Sequence, residues 1–122
     1  MSLAATTSAH PMSPVYRRVV ADARQALTLR DIAEITGVKT RSVQNWASGA
    51  SRPEGTSRDR LLELQYVVEQ LLDVYDSEGV DIWMHRPQRS LAHRRPVDAI
   101  RDGLFDDVVG AVEHLAGGPR RG

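Results

Sequence analysis

The chain has 122 residues, no cysteine, and 16 basic against 16 acidic side chains for a net charge of zero. This excludes a disulfide scaffold, a thiol nucleophile and any Cys-ligated metal site, and leaves room for one compact domain or two small helical ones sharing a core. Hydrophobic residues make up 41% but aromatics only 5%, so Leu, Val, Ile and Ala must fill the interior.

Residues 1–13 mix Ala, Ser and Thr and lack the cationic start and apolar run of a secretory signal. They read as a disordered lead. No apolar stretch approaches the ~20 residues of a membrane helix, and the composition fits a cytoplasmic protein. Charge is unevenly spread. Residues 14–60 carry nine basic groups against five acidic ones, 61–84 carry acids alone, and 85–101 turn basic again. A neutral total therefore does not exclude nucleic acid, because a local basic face can bind phosphate while another region offsets it.

Ser13-Pro14 predicts a helix start, followed by Val15, Val19, Ala23, Ala26 and Leu27 at helical spacing. Thr28 with Asp31 three residues on forms a variant of the capping box. Ile32, Ala33 and Ile35 form the buried side of that second helix, and Gly37 stops it. Thr40 is expected to cap a third helix over 41–48, anchored by Val43 and Trp46 and ended by Gly49. Residues 51–55 are a loop. Thr56 with Asp59 repeats the capping pattern and predicts a long helix over 57–75. Its apolar face is Leu61, Leu64, Val68, Leu71, Leu72 and Tyr75, widened by Leu62 and Val67. A shorter helix over 78–85 presents Val80, Trp83 and Met84 and ends before Pro87. Pro96 opens another, with Val97 and Ile100 inward and Gly103 as its stop. The last, over 104–116, carries Phe105, Val108, Val109, Val112 and Leu115, and Gly117 stops it. Residues 118–122 read as a flexible tail. The fold class is all-α, with a first unit at 14–56 and a second at 57–117.

Residues 29–48 supply what two crossed helices need. Ala33 is small at the crossing, Gly37 allows the tight turn, Val38 fills the corner, and Val43 and Trp46 pin the second helix on the first. Together they resemble the Xre-type, lambda-repressor-like helix-turn-helix. That resemblance makes the third helix a recognition helix exposing Lys39, Thr40, Arg41, Ser42, Gln44, Asn45 and Ser48. Arg pairs bidentately with guanine, and Gln or Asn with adenine. Arg41 and Gln44 are the candidates for base contact; Lys39, Thr40, Ser42 and Arg52 suit phosphate positioning. The plainer alternative is a solvated face on a motif used only for dimerisation.

The second half carries Trp83-Met84, Pro87, Leu91, Pro96, Ile100, Gly103, Val108 and Gly117. These are core anchors and helix punctuation. In combination they resemble the toxin-binding domain of the Xre/MbcA/ParS antitoxin family, and the two patterns stand in that family's order over most of 28–118. Where many members have Leu-Gly, this chain has Leu91-Ala92-His93-Arg94-Arg95, a basic version more similar to the MbcA branch. The resemblance implies a partner, a RES-domain toxin that degrades NAD, covered by the antitoxin's C-terminal portion. Here that portion is the last helix, offering Asp107, Gly110, Ala111 and His114, and the segment Gly117, Gly118, Pro119, Arg120 and Arg121. The alternative for the tail is plain disorder. The basic loop over 86–95 is either a solvated rim or a contact for an acidic toxin or for DNA phosphates.

Enzyme chemistry finds no support. His10, His85, His93 and His114 are scattered, without partners at metal-ligand spacing, so no metal is expected. There is no Gly-rich phosphate loop and no nucleophile elbow, and no cofactor is implied. The reading is an antitoxin, homodimeric, that occludes its toxin and represses its own operon through operator DNA. Two other readings stay open: a stand-alone regulator, and a toxin-binding module that no longer binds DNA.

Overall fold

The computed structural model describes residues 14–115. The expected lead, the Ser13 cap, the Gly117 stop and the tail lie outside the described residues. Within them the chain forms seven α-helices: α1 (Pro14–Ala23), α2 (Leu29–Thr36), α3 (Thr40–Ser48), α4 (Gly55–Leu72), α5 (Ser77–His85), α6 (Pro96–Arg101) and α7 (Phe105–Leu115). A 3-10 turn spans Arg89–Leu91, and one isolated bridge pairs Gln88 with Arg94. The all-α expectation holds.

The caps explain most boundaries. Thr28 Oγ1 accepts from the Asp31 amide at 3.0 Å, and Asp31 Oδ2 accepts from the Thr28 amide at 3.1 Å, closing the capping box of α2. Gly37 ends α2 in the left-handed region at φ 77°. Two caps were misplaced. Thr40 is the first residue of α3, not its cap; Lys39 holds the extended cap position without a side-chain bond, because the turn needs only three residues. Thr56 does not cap α4 either. That helix starts at Gly55 behind Glu54, again with no side-chain cap.

α4 also ends earlier than its apolar pattern suggested, at Leu72. Asp76 is the reason. Its carboxylate accepts from the Gly79 amide at 2.9 Å, so it caps α5 and the residues before it must turn. Gly79 suits that turn, since a Cβ there would sit 2.8 Å from the Cβ of Tyr75.

α4 is the spine of the molecule, packing against α1, α2, α5, α6 and α7. Its Leu61, Leu64, Val67, Val68 and Leu71 are fully buried, each worth about 1.5–3 kcal/mol of removed apolar surface. One continuous core runs from Val19 and Val20 on α1 to Val108 and Val112 on α7, so the two halves share an interior. Gln65 on α4 donates to Asp22 on α1 at 2.9 Å, bracing the same junction. Leu62 and Val15, placed on apolar faces by their spacing, are instead exposed. Leu72, Tyr75, Phe105 and Leu115 only flank the core.

Candidate functional site

Two surfaces stand out. The first is built by α2 and α3. Ile32, Ala33 and Ile35 of α2 and Val43 and Trp46 of α3 are buried against one another and the core. Thr36, the buried polar residue of this unit, donates to the Ile32 carbonyl at 2.7 Å and so leaves no donor unmet. The geometry is an eight-residue helix, a three-residue turn through left-handed Gly37, and a nine-residue helix.

This packing turns the remaining side of α3 outward. Lys39, Thr40, Arg41, Gln44, Ser48 and Arg52 are exposed, and Ser42 and Asn45 half-exposed. Each residue expected to touch DNA is therefore at least partly accessible, and the spacing of Thr40, Arg41, Gln44, Asn45 and Ser48 puts those five on one face of α3. Ser48 is partly occupied: its hydroxyl donates to the Asn45 carbonyl at 3.1 Å and accepts from the Ala50 amide at 3.3 Å, finishing the helix.

Two further cations join this side. Arg17 on α1 and Arg24, seven residues on in the turn that follows it, line a cleft with Gln44, Ala47 and Ser48 of α3. The Arg17 side chain lies across Gly49, where a Cβ would come within 3.1 Å of it. Sequence reasoning concentrated on the helix-turn-helix and missed both. Their seven-residue spacing, two turns of helix on one face, was the available signal.

The second surface is the outer side of α4 and α7. Asp107, Gly110 and His114 are exposed as expected. Ala111 is not; at 6% relative exposure it packs into the core, because α7 presents Val108, Ala111 and Val112 inward at spacings of three and four. Gly117, Gly118, Pro119, Arg120 and Arg121 lie outside the described residues. Between α4 and α7 runs a groove lined by Tyr66, Val67, Gln70, Asp73, Val109, Val112 and Glu113. Tyr66, 44% exposed, is the aromatic in its lining and was not anticipated. It falls on the Leu62 edge of α4, four residues along, which the broad apolar pattern hid.

The basic segment is divided. Arg95 is bound bidentately to Asp98 at 2.8 and 2.9 Å, and Arg101 reaches Asp98 at 3.3 Å and Asp102 at 3.1 Å. Hydrogen bonding and charge from Arg95, against a smaller effect of burial, hold the Asp98 carboxyl below its usual range. Arg86, Arg89 and Arg94 stay exposed. Between them Ala92 and His93 both take left-handed backbone, at φ 57° and 67°.

One histidine expectation fails. His85 has partners: Asp81 one helical turn back, and Asp31 from α2, each with a carboxylate oxygen 3.0 Å from a ring nitrogen. Each nitrogen faces a different carboxylate, so the cluster is hydrogen-bonded and becomes an ion pair when the ring is protonated. None of the helices is long and apolar enough to cross a membrane, among the described residues.

No family model matches the chain. It is 35% identical over 95 residues to the mycobacterial cidal antitoxin MbcA of Mycobacterium tuberculosis and Mycobacterium bovis, covering 78% of this chain and 84% of that protein. It is 36% identical over 92 residues to a probable mycobacterial cidal antitoxin of Mycobacterium tuberculosis, Rv3188, covering 75% and 78%. Among solved structures it superposes on a chain of the Mycobacterium tuberculosis MbcT–MbcA toxin–antitoxin complex with a TM-score of 0.77 and 33% identity, covering 88% of this chain and 98% of that one.

Proposed function

This chain belongs to the MbcA family of mycobacterial cidal antitoxins, and from that premise we propose that it neutralises a cognate toxin by covering it with residues 57–117 and the C-terminal tail. The observation that carries the reading is the superposition over 98% of a chain from a toxin–antitoxin complex. The partner is a RES-domain toxin that degrades NAD. The mechanism is occlusion, with no chemistry on the antitoxin. Asp107, Gly110 and His114 on α7, the groove beside Tyr66, and the segment Gly117–Arg121 provide the contact.

The unit at 14–56 is an Xre-type DNA reader. Its support is the accessibility of Thr40, Arg41, Ser42, Gln44 and Asn45 on α3, with exposed Lys39 at its cap and exposed Arg52 four residues past its end. Arg17 and Arg24 add charge next to that helix and suit phosphate contact. A two-fold dimer would set two recognition helices about one DNA turn apart on a palindromic operator, so that the antitoxin represses its own operon. The test is salt-dependent binding to the DNA upstream of its gene. Specific binding that Arg41→Ala with Gln44→Ala abolishes supports the DNA reading. Binding of toxin without any DNA affinity leaves the antitoxin reading and removes the repressor.

A further inference from the structure

His85 closes α5 with both ring nitrogens engaged. Nδ1 lies 2.9 Å from the Asp81 carbonyl oxygen and 3.0 Å from its Oδ1, and Nε2 lies 3.0 Å from Asp31 Oδ1. A carbonyl oxygen only accepts hydrogen bonds. The Asp31 carboxylate, which also accepts from the Thr28 amide, only accepts as well when ionised. Both ring nitrogens must therefore donate, and only the imidazolium can do that. Either neutral tautomer would leave a nitrogen lone pair facing an oxygen.

The two carboxylates come from different halves of the fold. Asp31 sits in the capping box of α2, inside the helix-turn-helix; Asp81 is on α5, beyond the spine helix. We propose that His85 is a proton-operated clasp, whose imidazolium ties the first turn of α2 to the end of α5 and whose deprotonation loosens that turn while the shared core stays closed.

The surroundings make the proton matter. Asp31 of α2 and Asp81 of α5 act on His85 directly, His85 acts in turn on Asp98 of α6, and Glu34 of α2 acts on the neighbouring Arg95. Against them stand Arg95 and Arg101, both already engaged by Asp98 and Asp102. Without the imidazolium, Asp31, Glu34, Asp81 and Asp98 are left with guanidiniums that already have carboxylate partners. Burial alone would push His85 down; its hydrogen bonds to Asp81 and Asp31 and the charges of both carboxylates outweigh it and raise it above its ordinary value. Asp31 responds in the opposite sense: burial would raise it, but the bonds from His85 and Thr28 outweigh that and hold it lowered. The sign follows. With a folded value above the unfolded one, the clasp contributes fully below the unfolded pKa of His85 and is lost as pH rises through the folded value. On the acid side it is lost as pH falls through the lowered value of Asp31.

The test uses the full chain. The His85 ring is titrated by NMR, assigned by its disappearance in His85→Gln, and amide exchange of the first turn of α2 is followed at about pH 5.5 and about pH 8.5, on either side of the ~6.5 of a free imidazole. The expected result is a His85 midpoint above ~6.5. Protection of α2, corrected for intrinsic exchange, then falls at the higher pH by about tenfold per unit of raised pKa. In His85→Gln that pH dependence disappears. A His85 midpoint at or below the free value, or α2 protection in the wild type that ignores pH across this range, overturns the proposal. The wild-type titration stands even if the variant folds poorly.

Discussion

Tyr66 on α4 meets Phe105 on α7 edge to face, with ring centroids 5.9 Å apart and planes at 71°. The contact is at the rim of the core and not in it: Tyr66 is exposed and Phe105 half-buried. A double-mutant cycle between them should give about 0.5–1.5 kcal/mol of coupling. Leu64→Ala, in the fully buried centre of the same helix, should cost about 2–5 kcal/mol. Denaturant unfolding of the two sets separates rim from core. Under the proposed function, Tyr66→Ala weakens toxin binding while leaving the fold intact.

The caps give a paired prediction. Thr28→Ala removes one bond of the α2 capping box and should cost about 0.5–2 kcal/mol. Thr56→Ala should change stability by less than about 0.5 kcal/mol, because Thr56 is exposed and caps nothing. Thermal melts of both variants check the contrast.

Ala92 sits in left-handed backbone at φ 57°. An L residue there is strained by about 1–2 kcal/mol, whereas glycine gives up about 0.5–1 kcal/mol through the unfolded chain. Ala92→Gly should therefore stabilise the protein by up to about 1 kcal/mol. The same substitution at Ala99, buried in α6, should destabilise. Denaturation midpoints read both signs.

Under the proposed DNA reading, base contacts and phosphate contacts behave differently. Arg41→Ala should cost about 1–3 kcal/mol of specific binding if it pairs bidentately with a guanine. Arg17→Ala and Arg24→Ala should weaken binding to all sequences alike, each lowering the slope of log affinity against log salt by about 0.9. Titrations at several salt concentrations on operator and scrambled DNA make the distinction.

Much of this molecule could be read from its sequence, and the misses have physical causes. The α2 boundaries were legible because Thr28, Asp31 and Gly37 act locally, within one turn of chain. The inward residues of α2 and α3 were legible because a short amphipathic helix has one core to face. α4 was harder. A helix apolar over much of its circumference contacts five neighbours, and no periodicity says that Leu62 and Tyr66 would remain outside while Val67 goes in. Its C-terminus was hidden because Asp76 acts as a cap only once Gly79 turns the chain. Ala111 went inward where sequence reasoning placed it outside, since a small residue gives no hydrophobic signal of its own. The His85 cluster depended on Asp31, fifty-four residues away in sequence, which only the fold brings near; the Asp81 partner at one helical turn was there to be seen.

The most direct test of the antitoxin reading is co-purification. This chain, tagged, is expressed together with the open reading frame beside its gene, the complex is isolated, and NAD consumption is assayed before and after the antitoxin is stripped away. The account predicts that the neighbour co-elutes, leaves NAD untouched while bound, and destroys it once freed. A neighbour that neither binds this chain nor consumes NAD when tested alone would contradict it.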